Sequence, residues 1–282
     1  MRRFLKTQSW KTKTKWAAIP GITGVGILYL LPGIAVLYYM VIDNVFQKNF
    51  VGLGNVIQIL ENPYFQLALR NTVRILTLCL AVTLSLSLAL SLPGALLGKR
   101  WMLVGILLIL PFFMPTVLSA ELWRGAMETL PPQMLLAGLF AWRNTGAVFL
   151  VLQIGCFSVE PEVMDAARVD GANRGQLFRY LLLPQLPPYL GISTVFLVMQ
   201  YFGIFREAYL LFDTSYPPNE VYLLQHYMYN HFHKLNYPLL SASTFLFTLF
   251  LIGAMAVGVV AVKGIREKKE RIGAARSRKG GG

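Results

Sequence analysis

The chain has 282 residues, 55% of them hydrophobic and only 14% charged, with 26 Lys and Arg against 13 Asp and Glu for a net charge of +13. A soluble domain of this size carries about 25% charged residues, so an ordinary water-exposed globule is excluded. The basic excess is concentrated outside the apolar runs rather than on one surface, so nucleic acid is not an expected partner.

In chain order, residues 1–15 form a basic tail with Arg2, Arg3, Lys6, Lys11, Lys13 and Lys15. Run 16–42 is free of charge, long enough to cross a ~30 Å hydrocarbon core and too long for a signal-peptide h-region, so it is expected as a retained span. The segment 43–74 is expected outside the membrane, with a short interfacial helix near 56–60. Run 75–98 is the second span. After Lys99 and Arg100, run 101–120 is the third, with Pro111 and Pro115 inside it. Proline removes a backbone hydrogen bond and kinks a helix, a break that membrane helices tolerate when neighbours satisfy the freed carbonyls.

Residues 121–143 are expected outside, with Pro131-Pro132 marking a turn. The uncharged run 144–159 is too short to span by itself. A fourth span over 137–159 borrows upstream residues and takes Arg143 near its outer end, where long side chains snorkel to the interface. The fifth and sixth spans are expected at 186–205 and 237–262, with a basic tail over 266–282. No carboxylate is expected in mid-span, which speaks against a proton-coupled carrier. Cys79 and Cys156 fall inside spans and behave as small hydrophobes. His226, His231 and His233 sit among aromatics and read as an interfacial belt rather than a metal site. The expected fold is therefore an all-α membrane protein with six transmembrane helices.

With six spans both termini share one side, and that side carries 19 of the 26 basic residues. The positive-inside rule makes it the cytoplasm, in the plasma membrane of the cell, with the tails near anionic lipid.

Between the fourth and fifth spans, 160–184 is a polar island. Pro161 suits the first turn of a helix, Glu160 its N-cap, and Glu162 the positive end of the dipole. Gly171 is placed as a left-handed C-terminal cap. Asn173 with Gln176 has the spacing of a capping box that starts a second helix. That helix carries Phe178, Leu181 and Leu182 and is expected to stop at Pro184. Two short helices hinged on glycine should therefore protrude. Ala166 and Ala167 make a smooth face, Asp165 and Asp170 offer carboxylates across an interface, and Phe178 offers an apolar anchor.

The pattern Asp165-Ala166-Ala167-x-x-Asp170-Gly171-Ala172, followed by Phe178 and Pro184, resembles the EAA loop of binding-protein-dependent ABC importer permeases. Its Asp-Gly-Ala form is similar to the carbohydrate branch. Phe50-Val51-Gly52-Leu53-Gly54-Asn55, the segment Ala68-Leu69-Arg70-Asn71-Thr72, and Leu122-Trp123-Arg124 resemble the first permease subunit of the maltose and glycerol-phosphate types. The likeness covers residues 17–265. It departs at Asp165, where the family has Glu, and around residues 214–218, where Gly-Gly-Pro is usual.

The resemblance implies a type I importer permease core over 16–265, in which the loop from Asp165 to Pro184 couples to the ATPase. It also implies a second permease subunit, two cytosolic ATPase subunits and an extracytoplasmic binding protein. The solute implied is a sugar or oligosaccharide; a polyamine or glycerol phosphate permease and a secondary transporter or channel are the alternatives. The chain lacks a P-loop pattern, so ATP is expected to bind the partner subunit and the chain to need no cofactor, metal or catalytic residue of its own. Gln153, Gln200 and Tyr201 are candidate pathway residues, since amides and aromatic faces suit sugars. Helix–helix hydrogen bonding is the competing role for the amides.

Overall fold

A computed structural model of the chain describes residues 19–97 and 101–279. The basic tail 1–15, Lys99 and Arg100, and the last three glycines lie outside the described residues. The described residues are helical, with one isolated bridge between Ile42 and Phe50. Among the described residues four helices are long and apolar enough to cross a membrane, or six if each of two bent pairs counts as one span.

The chain divides into two compact units. The first, residues 1–62 and 228–249, holds α1 (Ile19–Met40), α2 (Gly54–Glu61) and the start of α12 (Tyr237–Lys279). α1 contains a π-helical turn at Gly26–Leu30 and exposes Ile22, Leu28, Tyr29, Leu30 and Ile34. So continuous an apolar surface suits hydrocarbon, not water. Asn55 on α2 is buried, and its Nδ2 donates to the carbonyls of Met40 at 2.9 Å and Ile42 at 2.7 Å. That amide caps carbonyls freed where α1 ends. Tyr39 meets Tyr237 with ring centroids 6.0 Å apart.

The second unit, residues 63–227 and 250–282, is built around α3 (Pro63–Leu97) and α6 (Pro132–Phe157), which pack along each other. α6 is the most enclosed of the spans: 67% of its most apolar window is buried, against 33% for α3. α4 (Met102–Phe113) lies on α6, and at Gly146 their backbones come so close that a Cβ would collide with the Leu108 carbonyl. Glycine here is a packing requirement. α5 (Thr116–Arg124) follows α4 at 96°.

Beyond α6 come α7 (Pro161–Val169), α8 (Arg174–Leu177), α9 (Pro187–Tyr201), α10 (Ile204–Phe212) and α11 (Leu224–His233). α3 also clamps the segment before α11. Asn71 Nδ2 donates to the carbonyls of Asn219 at 2.5 Å and Tyr222 at 3.1 Å, and Thr72 Oγ1 accepts from the Leu224 N–H at 3.0 Å.

Several expected boundaries are corrected. The helix that carries the second span begins at Pro63, ahead of the expected 75: Arg70 and Arg74 interrupt the apolar run but not the helix, and Arg70 is exposed. The third span is broken at Pro115, which caps α5, while Pro111 sits harmlessly in the first turn of a short helix, Leu110–Phe113. Pro131-Pro132 starts α6 rather than marking a free turn, with Pro131 at the N-cap and Pro132 at the first helical position. α9 ends at Tyr201, and Phe202-Gly203 separates it from α10. The last helix runs on past 262, the expected end of the sixth span, through the basic segment to Lys279. The interfacial helix expected near 56–60 is α2.

Candidate functional sites: a capped helix–turn–helix and a polar cavity

The polar island folds from local signals. Pro161 occupies the first turn of α7, with Glu160 as N-cap residue in extended conformation; its side chain makes no cap hydrogen bond. At the other end Gly171 takes φ +84°. The Gly171 N–H donates to the Arg168 carbonyl at 3.0 Å, and the Ala172 N–H to the Ala167 carbonyl at 2.9 Å. These two bonds are the paired closure of a Schellman motif. Asn173 and Gln176 then form a reciprocal capping box, with bonds of 2.8 and 2.9 Å. The hinge is therefore fixed from both sides.

Asp165 and Asp170 are exposed, and Asp165 accepts from Arg168 Nη1 at 2.9 Å. Ala166 is exposed, while Ala167 and Ala172 are half-buried. The most exposed apolar side chain of the island is Val169 at 88%. Sequence reasoning missed it; the available signal was an apolar residue in the last turn of α7, two positions before the capping glycine. Phe178 is half-buried and turned inward. With Ala89, Leu92, Pro93, Arg174 and Leu182 it lines a cavity of about 790 Å³ behind the loop.

Pro184 does not end the second helix. α8 continues as a π turn over Phe178–Leu182 and a 3-10 turn over Leu183–Gln185, then bends by 62° into α9. The loop is thus joined through helical turns to α9, and through residues 158–160 to α6.

Those same two helices line the second site. Arg143, Asn144 and Phe140 of α6 face Met199, Gln200 and Gly203 across a partly enclosed cavity of about 210 Å³, completed by Phe112, Arg206 and Glu207. Arg143 lies near the middle of α6, not at its outer end, so the snorkelling expectation is corrected. Its Nη1 donates to Glu207 Oε1 at 2.5 Å and Thr116 Oγ1 at 3.2 Å, and its Nη2 to the Met114 carbonyl at 3.3 Å. Thr116 and Met114 flank Pro115, so one guanidinium serves the broken third span on both sides. Glu207 lies on α10, just beyond α9, and packs against the middle of α6.

Of the three pathway candidates, only Gln200 lines this cavity, with its Nε2 donating to Asn144 Oδ1 at 3.3 Å. Tyr201 is fully buried, donates its hydroxyl to the Thr72 carbonyl at 2.9 Å and meets Phe140 edge-on, which is a packing role. Gln153 is also fully buried, wedged against Gly94 and Trp101, with its amide atoms reaching no partner among the described residues. It belongs to the α3–α6 contact. Among the described residues no group of three or more His, Cys, Asp and Glu could hold a metal.

No family model matches the chain. It is 36% identical over 89 residues to a probable ABC transporter permease, y4oQ of Sinorhizobium fredii, covering 32% of this chain and 28% of that protein. It is 28% identical over 209 residues to the arabinooligosaccharide transport permease AraP of Bacillus subtilis, covering 65% of this chain and 66% of the relative. The matches thus span less than two thirds of either relative's length. A crystal structure of a bacterial ABC transporter that imports the acidic polysaccharide alginate has a chain that superposes with TM-score 0.71 at 19% identity, over 96% of this chain and 99% of that one.

Proposed function

We propose that this chain, which has the fold of an ABC importer permease and oligosaccharide-transport permeases among its sequence relatives, forms part of a membrane pathway for an oligosaccharide. The observation that carries the reading is connectivity. The rigid loop over 161–185 joins α6 and α9, and both helices line the polar cavity with residues 13 positions from the loop-proximal helix ends, Asn144 before Phe157 and Gln200 after Pro187. At 1.5 Å per residue that is about 20 Å along each helix. A partner that shifts the loop therefore acts on both walls of the cavity together.

In this mechanism a cytosolic ATPase pair grips the loop through Val169, Asp165 and Asp170. ATP-driven closure of that pair moves α6 and α9, and the cavity changes the side to which it opens. A second permease subunit supplies the facing half of the pathway, and an extracytoplasmic binding protein delivers solute. The chain itself supplies the pathway and the lever, not ATP hydrolysis. The loop, and with it both termini, lies in the cytoplasm, as the distribution of basic residues supports. Ala172→Cys should label with an impermeant reagent only after permeabilisation, against a low background because Cys79 and Cys156 are buried.

A secondary carrier is the competing reading, because Glu207 paired to Arg143 is the sort of buried ionisable group such carriers use. Uptake into vesicles separates the two. The importer needs ATP and binding protein and is indifferent to a proton gradient; uptake driven by the gradient without ATP refutes the proposal.

A further inference from the structure

The polar cavity carries unequal charge. Three of its lining residues are ionisable: Arg143, Arg206 and Glu207. One oxygen of Glu207 is taken by Arg143 while the other is buried with no hydrogen-bond partner among the described residues, and both nitrogens of that guanidinium that reach partners are occupied by Glu207, Thr116 and Met114. The pair offers a ligand no net charge. Arg206 is different. It is exposed, forms no ion pair within 4 Å among the described residues, and reaches back along the wall so that its Nη2 would lie 3.5 Å from a Cβ built on Gly203. The cavity thus holds two guanidiniums against one carboxylate, an excess of one positive charge, beside the amides of Asn144 and Gln200 and the rings of Phe112 and Phe140.

The chemistry that fits is specific. A volume of about 210 Å³ equals about seven water molecules at ~30 Å³ each, room for a single sugar ring. Amides pair with ring hydroxyls, aromatic rings cover the apolar face of a pyranose, and a lone guanidinium takes one carboxylate through two parallel hydrogen bonds. A dianionic phosphate would leave a charge unmatched in the cavity.

We propose that the pathway selects oligosaccharides bearing uronate carboxylates, and that Arg206 is the residue that reads the carboxylate. The proposal rests on the reading of this cavity as part of an oligosaccharide pathway. A site arranged to pair a polar group discriminates against the analogue lacking it more strongly than an apolar pocket discriminates by size.

The test is equilibrium binding to the full chain in lipid nanodiscs with its co-expressed partner subunits, held with a non-hydrolysable ATP analogue. The probes are trigalacturonate, its methyl ester, maltotriose and glycerol 3-phosphate. The acid should bind at least about tenfold tighter than its ester, the scale of a charge-assisted hydrogen bond. Arg206→Gln should abolish that preference, so that acid and ester bind alike, while Arg206→Lys keeps part of it, because the charge stays but the fork is lost. Arg206 is exposed, so neither variant disturbs packing.

Equal binding of acid and ester, or a preference that survives Arg206→Gln, overturns the inference while the oligosaccharide pathway stands. Tightest binding of glycerol 3-phosphate overturns it in favour of a phosphate ester. If neither trisaccharide nor the ester binds, the oligosaccharide reading falls and the inference falls with it.

Discussion

Arg143 and Glu207, 64 positions apart in sequence, meet at 2.5 Å with their side chains only 15% and 13% exposed. The bond ties the middle of α6 to α10, and the same guanidinium holds Met114 and Thr116 on either side of Pro115. One cation thereby fixes the end of α4, the start of α5 and the cavity wall. The kink that proline imposes on the third span is stabilised by a residue on the next span along the chain.

Breaking that pair from one side should be costly. Arg143→Leu leaves Glu207 buried without its hydrogen-bonded counter-charge, with only the exposed Arg206 near it, at about 3–5 kcal/mol, whereas replacing both partners with leucine removes the stranded charge and recovers most of the loss. Glu207→Gln keeps an acceptor for Arg143 and should fall between them. Thermal unfolding in detergent would show this order. A double variant as unstable as Arg143→Leu would show that the loss does not come from a stranded charge.

Gly171 carries a second prediction. At φ +84° a β-branched residue is strained, yet a Cβ there meets nothing within 4 Å, so the penalty is confined to the backbone. Gly171→Val should cost about 1–2 kcal/mol locally and re-aim α8 against α7 without removing the protein from the membrane. Asn tolerates the left-handed region, so Gly171→Asn should retain transport. Solute uptake normalised to the amount of protein in the membrane compares them, and normal uptake by the valine variant would show that the hinge angle does not matter.

The pH dependence of stability should show the His226 ring. It is fully buried, sits against Phe205 and Tyr222 at 4.9 and 5.8 Å, and its Nδ1 accepts from the Leu223 N–H at 3.2 Å. Burial lowers its pKa from 6.5 to about 4. The unfolded chain therefore binds the proton first as pH falls. The stabilisation is complete above about pH 6.5 and is lost progressively towards pH 4. His231, also lowered by burial and by Lys234, contributes with the same sign. Melting temperature should be flat from pH 8 to about pH 6.5 and then decline, and His226→Gln should flatten that decline.

How much of this was legible in the chain follows the range of each signal. The Schellman closure at Gly171 and the Asn173–Gln176 capping box are each written within a few neighbouring residues, so sequence places them. The clamp from Asn71 to Asn219, 148 positions away, and the Arg143–Glu207 bond are long-range pairings for which the local pattern carries no signal. Counting uncharged residues also hid the first turns of α3, because Arg70 points outward from a helix whose other faces bury Phe65, Ala68 and Asn71. Pro184 misled in the opposite direction. The chain accommodates it with a π turn followed by a 3-10 turn, a compromise that propensity alone would read as a stop.

The final prediction separates docking from mere connection. Val169 is 88% exposed at the tip of α7, so Val169→Asp removes no internal contact and should leave the stability within about 0.5 kcal/mol of the parent. An apolar anchor inserted into a partner's cleft behaves differently, since burying a new carboxylate there is unfavourable, and the variant should lose the co-purifying ATPase. Ala167→Trp should do the same by steric exclusion, because interface cores pack as densely as protein interiors. Asp165→Glu preserves the charge that pairs with Arg168 and should be mild. Asp165→Lys places like charge beside Arg168 and against a partner arranged to meet a carboxylate, and should be severe, more so at low salt than at moderate salt. A loop that merely connects two spans gives no such ordering. Recovery of the ATPase with each variant in detergent, at the two salt concentrations, measures it directly, and equal recovery from all four would remove the loop from the coupling mechanism.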